Sequence, residues 1–361
     1  MLVGMWIQKL KIQAFRNLQA GQLHLPGPGA YALYGRNGAG KTNVLEALSL
    51  LSPGRGLHRA KFDAMCPNGD NPWGLFWEVH GLNDMHQVGM QYQKGRKQAR
   101  LDGEDLQNQT HLARLGAIIW FTPEMDRLFF DGPAPRRRFL DRMVFGHMPA
   151  HAGVLSRYSH HIQARAKLLK DNADADWIAL EEKQAAHYGV KVQAARQEFM
   201  HLLNQTMPLV DVHMDGSCEK LLTDLPAEDR EAAFTTQLEK NRRRDAKFQS
   251  THFGPHRSDV AGVYQNMPLN QTSMGQHKRA LLDIILAHAT LLKDQHGTAP
   301  CLLLDEIAAH LDHDARKKLY DHLLPLGAQL WMTGTEKAAF DDLARVGFVR
   351  VDDGVLTPEF G

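Results

Sequence analysis

Apolar residues recur at every second position through Leu75-Phe76-Trp77-Glu78-Val79 and Val88-Gly89-Met90-Gln91-Tyr92. That is the period of strands with one buried face, and Asp102-Gly103 reads as a turn. Two other apolar runs are continuous: Ala30-Tyr31-Ala32-Leu33-Tyr34, and Cys301-Leu302-Leu303-Leu304 between Pro300 and a pair of carboxylates. Such runs suit strands buried on both faces of a parallel sheet. From about Thr122 to Phe248 the period lengthens to that of helices, through Phe139, Met143, Leu155, Ile162, Leu168 and Leu169, then from Trp177 to Leu203, with a break at 170–176. Strands return from about Ser250, and the chain ends with the apolar Gln329-Leu330-Trp331-Met332 and a hairpin around Asp352-Asp353-Gly354. The pattern predicts an α/β fold in which 1–121 and 250–361 build one head and a mainly helical lobe, 122–249, is inserted between them.

A length of 361 residues suits about two domains, and 43% hydrophobic content can fill their cores. The formal net charge of +1 removes long-range steering of a polyanion, so any nucleic-acid contact has to come from local patches. The three cysteines, Cys66, Cys218 and Cys301, are far apart and lack Cys-x-x-Cys spacing, which suits a reducing cytosol and argues against structural zinc. Met1-Leu2-Val3-Gly4-Met5-Trp6 has no charged n-region, and no apolar run approaches the length of a membrane span. A soluble cytoplasmic protein with no membrane partner is expected.

Gly35-Arg36-Asn37-Gly38-Ala39-Gly40-Lys41-Thr42 fits G-x-x-x-x-G-K-[ST] between the strand-like 30–34 and the helix-favouring Val44-Leu45-Glu46-Ala47-Leu48. The glycines let backbone N–H groups turn inward around an anion, and the helix N-terminus adds positive potential. Lys41 would reach the β and γ phosphates of ATP, and the Thr42 hydroxyl would ligate Mg²⁺. At the end of the second apolar run, Asp305 would hold the same metal and Glu306 would polarise an attacking water. An acid pair at a strand end is as readily a solvated terminus. It gains meaning from the phosphate loop upstream.

Ser273-Met274-Gly275-Gln276, opening an apolar helix ahead of Asp305-Glu306, resembles the signature motif of ABC-type ATPases. The resemblance implies that Ser273, Gly275 and Gln276 of one subunit close over nucleotide held by another, within an ABC-type P-loop ATPase head. Lys41 and Asp305 stand far apart in sequence, as in the chromosome-associated members, yet nothing between them sustains the heptads of a long coiled coil. The full set of matches resembles the RecF family of SMC-like ATPases. It comprises Phe15-Arg16-Asn17, the loop with Asn37 and Asn43, Ser52-Pro53-Gly54-Arg55 with Arg59-Ala60, Thr122-Pro123-Glu124, Arg136-Arg137-Arg138-Phe139-Leu140-Asp141, Gly254-Pro255-His256-Arg257 and Thr333-Gly334-Thr335.

That resemblance implies a weak, DNA-stimulated ATPase of DNA replication, recombinational repair and the SOS response. It further implies an ATP-driven homodimer on gapped or single-stranded DNA that works with mediator proteins to load recombinase. Met125, His277 and His310 depart from the family pattern. A nucleotide-binding subunit of an ABC transporter is the alternative, but its glutamine near Thr122-Pro123-Glu124 and its histidine after Thr333-Gly334-Thr335 are missing. A nuclease-partnered ATPase would need a further carboxylate-rich domain.

Arg136, Arg137 and Arg138 form one of several short cationic runs that are either solvated faces or DNA contacts. Arg55 and Arg59 follow the phosphate-loop helix, where nucleotide, dimer mate and DNA are all open as partners. No recognition helix or zinc finger is present, so DNA would be read by backbone or junction shape. His147 with His151, and His252 with His256, are spaced i, i+4 but lack a His-Glu-x-x-His context. For His256 the expectation is a hydrogen-bonded structural residue beside a tight turn.

Overall fold

The computed structural model describes residues 5–67, 71–81, 84–306, 313–341, 343 and 345–360. In chain order the first elements are β1 (Trp6–Gln13), β2 (Gly21–His24), β3 (Ala30–Tyr34), α1 (Lys41–Ser49), β4 (Trp73–His80), β5 (Met85–Gln93), β6 (Arg96–Leu101), β7 (Glu104–Asp105) and β8 (Ile118–Phe121). Next come α2 (Pro133–His147), α3 (His151–Lys170), α4 (Ala175–Thr206), β9 (Val210–Asp215), α5 (Ser217–Leu222), α6 (Ala227–Lys240) and α7 (Arg242–Phe248). The last are β10 (Asp259–Tyr264), β11 (Met267–Pro268), α8 (Met274–His296), β12 (Cys301–Leu304), α9 (His313–Leu323), β13 (Leu330–Gly334), β14 (Val346–Asp352) and β15 (Val355–Glu359).

Contacts divide the chain into two units, Met1–Asp126 with Ile285–Gly361, and Arg127–Ile284. The first unit carries two six-stranded sheets, ordered β15-β14-β3-β13-β12-β8 and β2-β1-β4-β5-β6-β7. In the former, β14, β3, β13, β12 and β8 run parallel, which brings the ends of β3 and β12 to one edge. Strand β12 is buried at every position, as a central parallel strand must be. The other sheet is antiparallel and alternates, so Leu10, Leu75, Trp77, Val88 and Met90 face a core shared with Val44, Leu45, Leu48 and Trp331. Each such side chain contributes about 1.5–3 kcal/mol of burial.

The second unit is built on the long helices α3 and α4 and contains one three-stranded sheet, β11-β10-β9. Its core joins Tyr158, Ala185, Val192, Phe234 and Phe253. Strand β10, past residue 250, pairs along its length with β9, which lies inside the expected helical lobe. The compact unit accordingly runs on to Ile284, inside α8.

Polar side chains hold this second unit from within. Arg165, with no exposed surface, donates to Glu182, Asp245, Thr251 and the Leu238 carbonyl, joining α3, α4 and α7. Arg196 forks onto both oxygens of Asp141 at 2.8 Å and donates to the Pro255 carbonyl. With partners on every side, these buried charges are held rather than orphaned.

Candidate nucleotide site

The phosphate loop leaves β3 at Gly35 and enters α1 at Lys41. Gly35, Gly38 and Gly40 have φ of 152°, 82° and 112°, a region closed to most side chains. At Gly35 a Cβ would lie 2.1 Å from the Val351 carbonyl oxygen, and at Gly40 it would lie 2.8 Å from Asn17 Oδ1. The motif's glycines are thus required twice, for the turn and for close neighbours. Within the loop Arg36, Asn37 and Gly38 are exposed, Gly35 is half-buried, and Ala39 and Gly40 are buried.

Lys41 is buried, and its Nζ donates to the carbonyls of Gly35 at 2.7 Å and Arg36 at 2.9 Å. Burial lowers its affinity for a proton, and the nearby carboxylates of Glu306 and Asp305 oppose that shift. Thr42 Oγ1 lies 3.0 and 3.1 Å from the two carboxylate oxygens of Asp305, joining the first turn of α1, which follows β3, to the end of β12. Thr333, on β13 between β3 and β12, donates its hydroxyl to Asp305 Oδ1 at 2.7 Å. Thr333 Oγ1 in turn accepts the Glu306 backbone N–H at 2.7 Å. Burial pushes the Asp305 carboxyl above the usual range, with the Thr333 and Thr42 hydroxyls pulling it back. Glu306 itself takes φ of 51°, which re-aims the chain directly after the metal-ligand candidate.

Asn17 and Gly354 brace the loop from outside, and sequence reasoning gave neither a role. Asn17 Nδ2 donates to the Gly38 carbonyl at 2.9 Å, and its Oδ1 accepts from Asn43 Nδ2 at 2.7 Å. Gly354 N–H donates to the Ala39 carbonyl, and its own carbonyl accepts from Gln19 N–H. Arg16 forks onto the fully buried Glu46 of α1. The available signals were the Asn17 match and the Asp-Gly turn, neither of which points to the loop across the sequence. Asn43 therefore meets Asn17. His58 Nδ1 lies 3.9 Å from Glu124 Oε1.

Ser273, Gly275 and Gln276 belong to the second unit. There Ser273 N–H donates to Gln276 Oε1 at 3.0 Å, and Gln276 N–H donates to Ser273 Oγ at 3.3 Å. This reciprocal capping box starts α8. Ser273 and Gly275 are exposed and Gln276 is half-buried, and a Cβ at Gly275 would meet nothing within 4 Å. His277 is buried in the same unit, stacked 4.7 Å from Phe130 with Phe129 edge-on. Met125 packs on the first unit's core. His310 lies outside the described residues.

Arg136 is buried. Its Nε and one terminal nitrogen fork onto Asp259 at 2.7 Å, and the other nitrogen donates to the carbonyls of Leu128 and Asp131. The whole guanidinium is committed to the interior. Arg137 is half-buried and donates to the Ser258 carbonyl, while Arg138, Arg55 and Arg59 are exposed. His256 donates from Nε2 to the Thr251 carbonyl and accepts the Tyr158 hydroxyl at Nδ1, 2.6 Å away. Burial lowers its pKa to about 4, so the neutral ring satisfies both bonds. His252 is tied to Asp245 and His151 to Asp141.

Residues 6–356 match the family model RecF/RecN/SMC N terminal domain. The DNA replication and repair protein RecF of Mesorhizobium japonicum is 38% identical over 98% of this chain and 97% of its own. The chain belongs to the RecF family. The RecF of Brucella suis is 37% identical over 97% of this chain and 96% of its own. Among solved structures, the recombination mediator RecF-ATP of the RecFOR pathway superposes with a TM-score of 0.90 at 24% identity, over 100% of this chain and 99% of that one. An Smc head bound to the C-winged helix domain of ScpA gives 0.53 at 15%, over 98% and 97%. The RecF fold, an ABC-type α/β head with a second lobe, is therefore the fold of this chain. No helix among the described residues is long and apolar enough to cross a membrane.

Proposed function

We propose that this RecF-family chain is an ATP-switched, DNA-binding protein of replication and recombinational repair, working in the cytoplasm. The observation that carries the reading is the cluster in which the Thr42 and Thr333 hydroxyls both meet the Asp305 carboxylate beside the phosphate loop. Its donors are all oxygen, the set a hard cation such as Mg²⁺ takes. Thr42 and Asp305 would hold that ion, which when bound supplies neutralising charge to the phosphates. The loop from Gly35 to Asn43 cradles the nucleotide, Lys41 carries a positive charge to its β and γ phosphates, and Glu306 accepts the proton of the attacking water.

Ser273 and the Gly275 amide would then meet the γ-phosphate held by a second copy, making ATP the link of a homodimer. Slow hydrolysis would reset it. Binding of gapped or single-stranded DNA, stimulation of the ATPase by DNA, and loading of recombinase with mediator proteins complete the reading by family membership. The transporter alternative has no support in the whole-chain RecF relatives.

Analytical ultracentrifugation with and without ATP and DNA tests this reading. The wild type should shift to a dimer with ATP, and Lys41→Met or Asp305→Asn should abolish the shift and the hydrolysis with little loss of fold. A protein that stays monomeric with ATP, or variants that bind and hydrolyse ATP as before, would refute it.

A further inference from the structure

Away from the nucleotide site, the outward face of the antiparallel sheet in the first unit is a trough of about 790 Å³. Two cross-strand rows line it. In one, Gln22, Lys11, Phe76, Gly89 and Arg100 stand side by side on β2, β1, β4, β5 and β6. In the next, Gln13, Gly74, Gln91 and Gln98 do the same. Gly89 beside Phe76 and Gly74 beside Gln91 each leave one position of the middle strands without a side chain, so part of the floor is peptide backbone. Three strand spacings of about 4.8 Å put Lys11 and Arg100 about 14 Å apart across it.

The chemistry of the lining is selective. Among the described lining residues none is acidic. Lys11 Nζ lies 5.7 Å from the centre of the Phe76 ring, and Arg100 pairs with Asp105 where both are exposed, a bond readily exchanged for phosphate. Amide side chains outnumber the cations. A duplex presents phosphates outward and its paired base edges only within grooves, so it calls for many cations and has little use for an aromatic ring set in a trough. An unpaired strand offers base faces to stack on Phe76, free base edges to the glutamine amides, and phosphates to Lys11 and Arg100.

We propose that this sheet face is a binding site for single-stranded nucleic acid, taking the unpaired part of a gapped substrate with one base stacked on Phe76. The proposal rests on the DNA-binding reading above and adds where, and in which strand form, the nucleic acid is held.

Fluorescence anisotropy on the full chain, with a labelled oligothymidylate and a labelled duplex, tests it. Phe76→Ala should weaken oligothymidylate binding about five- to a hundredfold, the range of one lost stacking contact, and leave the duplex unchanged. Gly89→Leu should have the same effect by filling the trough. Its fold should persist, because a Cβ at Gly89 meets nothing within 4 Å and its φ is not positive. Lys11→Ala should lower the log-log salt slope on the single strand by about 0.7. Nucleotide binding, measured in parallel, should be untouched in all three variants.

Equal losses on duplex and single strand would overturn the assignment, as would unchanged single-strand affinity in Phe76→Ala and Gly89→Leu, the result expected if the trough docks a protein. A wild type that binds ATP and dimerises but binds neither DNA would remove the DNA-binding reading and this site with it. Wild-type DNA binding with unaffected variants removes this site alone.

Discussion

Thr333 donates its hydroxyl proton to Asp305 Oδ1 and receives the backbone N–H of Glu306, both at 2.7 Å. One oxygen on β13 thus sets both acids at the end of β12. It orients the metal-ligand candidate by a side-chain bond. It also holds the next residue in a left-handed conformation that a glutamate adopts at a cost of about 1–3 kcal/mol.

Thr333→Val keeps the shape of the side chain and removes this oxygen. The Glu306 N–H and the Asp305 carboxylate each lose a partner, at about 1–3 kcal/mol apiece. Glu306 should then wander, so kcat should fall by tenfold or more while ATP affinity changes less. Thr333→Ser should restore activity. Steady-state kinetics with a separate nucleotide titration decide the matter, and a Val variant with normal kcat would show that Thr333 merely fills space.

Glu306→Gln retains size and hydrogen-bonding capacity but removes the base. Hydrolysis should drop by about 10²-fold or more, and the ATP-bound dimer should persist. Single-turnover hydrolysis with sedimentation in ATP checks both halves. Normal turnover, or lost nucleotide binding, would contradict the role given to Glu306.

The loop and the acid pair of the candidate site were legible in the sequence because their signals are local. A continuous apolar run, a glycine loop and a helix are contiguous from Ala30 to Leu48, and the Cys301–Leu304 strand carries its acids at its own end. The parts that stayed hidden depend on contacts between distant segments. Strand β9 is a short run within helical sequence, recognisable only by its pairing with β10. Arg136 reads as a surface cation because its partner Asp259 lies 123 positions away. Asn17 reaches Gly38 from 21 positions away, and Thr333 reaches Asp305 from a neighbouring strand. Ser273 and Gln276 did carry a local signal, the Ser-x-x-Gln of a capping box, which the signature reading overshadowed.

His256 makes stability pH-dependent with a definite sign. Its folded pKa of about 4 lies below the unfolded value of about 6.5, so the unfolded chain binds the proton more tightly. The neutral ring's contribution is complete above about pH 6.5 and is lost as pH falls towards 4, on the order of 3 kcal/mol in all. Urea unfolding from pH 4.5 to 7.5 should show the wild type losing stability more steeply than His256→Gln on acidification. The variant should be weaker at neutral pH, because the Tyr158 hydroxyl loses its acceptor. Parallel slopes would mean that the ring is not held neutral.

Ser273 has two separable jobs if the dimer reading holds. Within its own chain it caps α8 through Gln276, and across the dimer it would meet the partner's γ-phosphate. Ser273→Ala removes the cap oxygen, at about 1 kcal/mol, and adds no obstacle. Ser273→Asp preserves a capping oxygen and improves the match to the helix dipole, but sets a negative charge against the γ-phosphate. Ser273→Arg adds bulk and loses the cap. If only the cap matters, Asp should behave as wild type and Ala and Arg should both be impaired. If Ser273 acts in trans, Asp and Arg should each bind ATP as monomers without dimerising or hydrolysing, despite opposite charges and opposite effects on the helix, while Ala keeps part of both activities. Thermal melts report the cap and sedimentation with ATP reports the dimer. An ATP-induced dimer surviving in both Ser273→Asp and Ser273→Arg would refute the trans role and leave Ser273 as a helix cap alone.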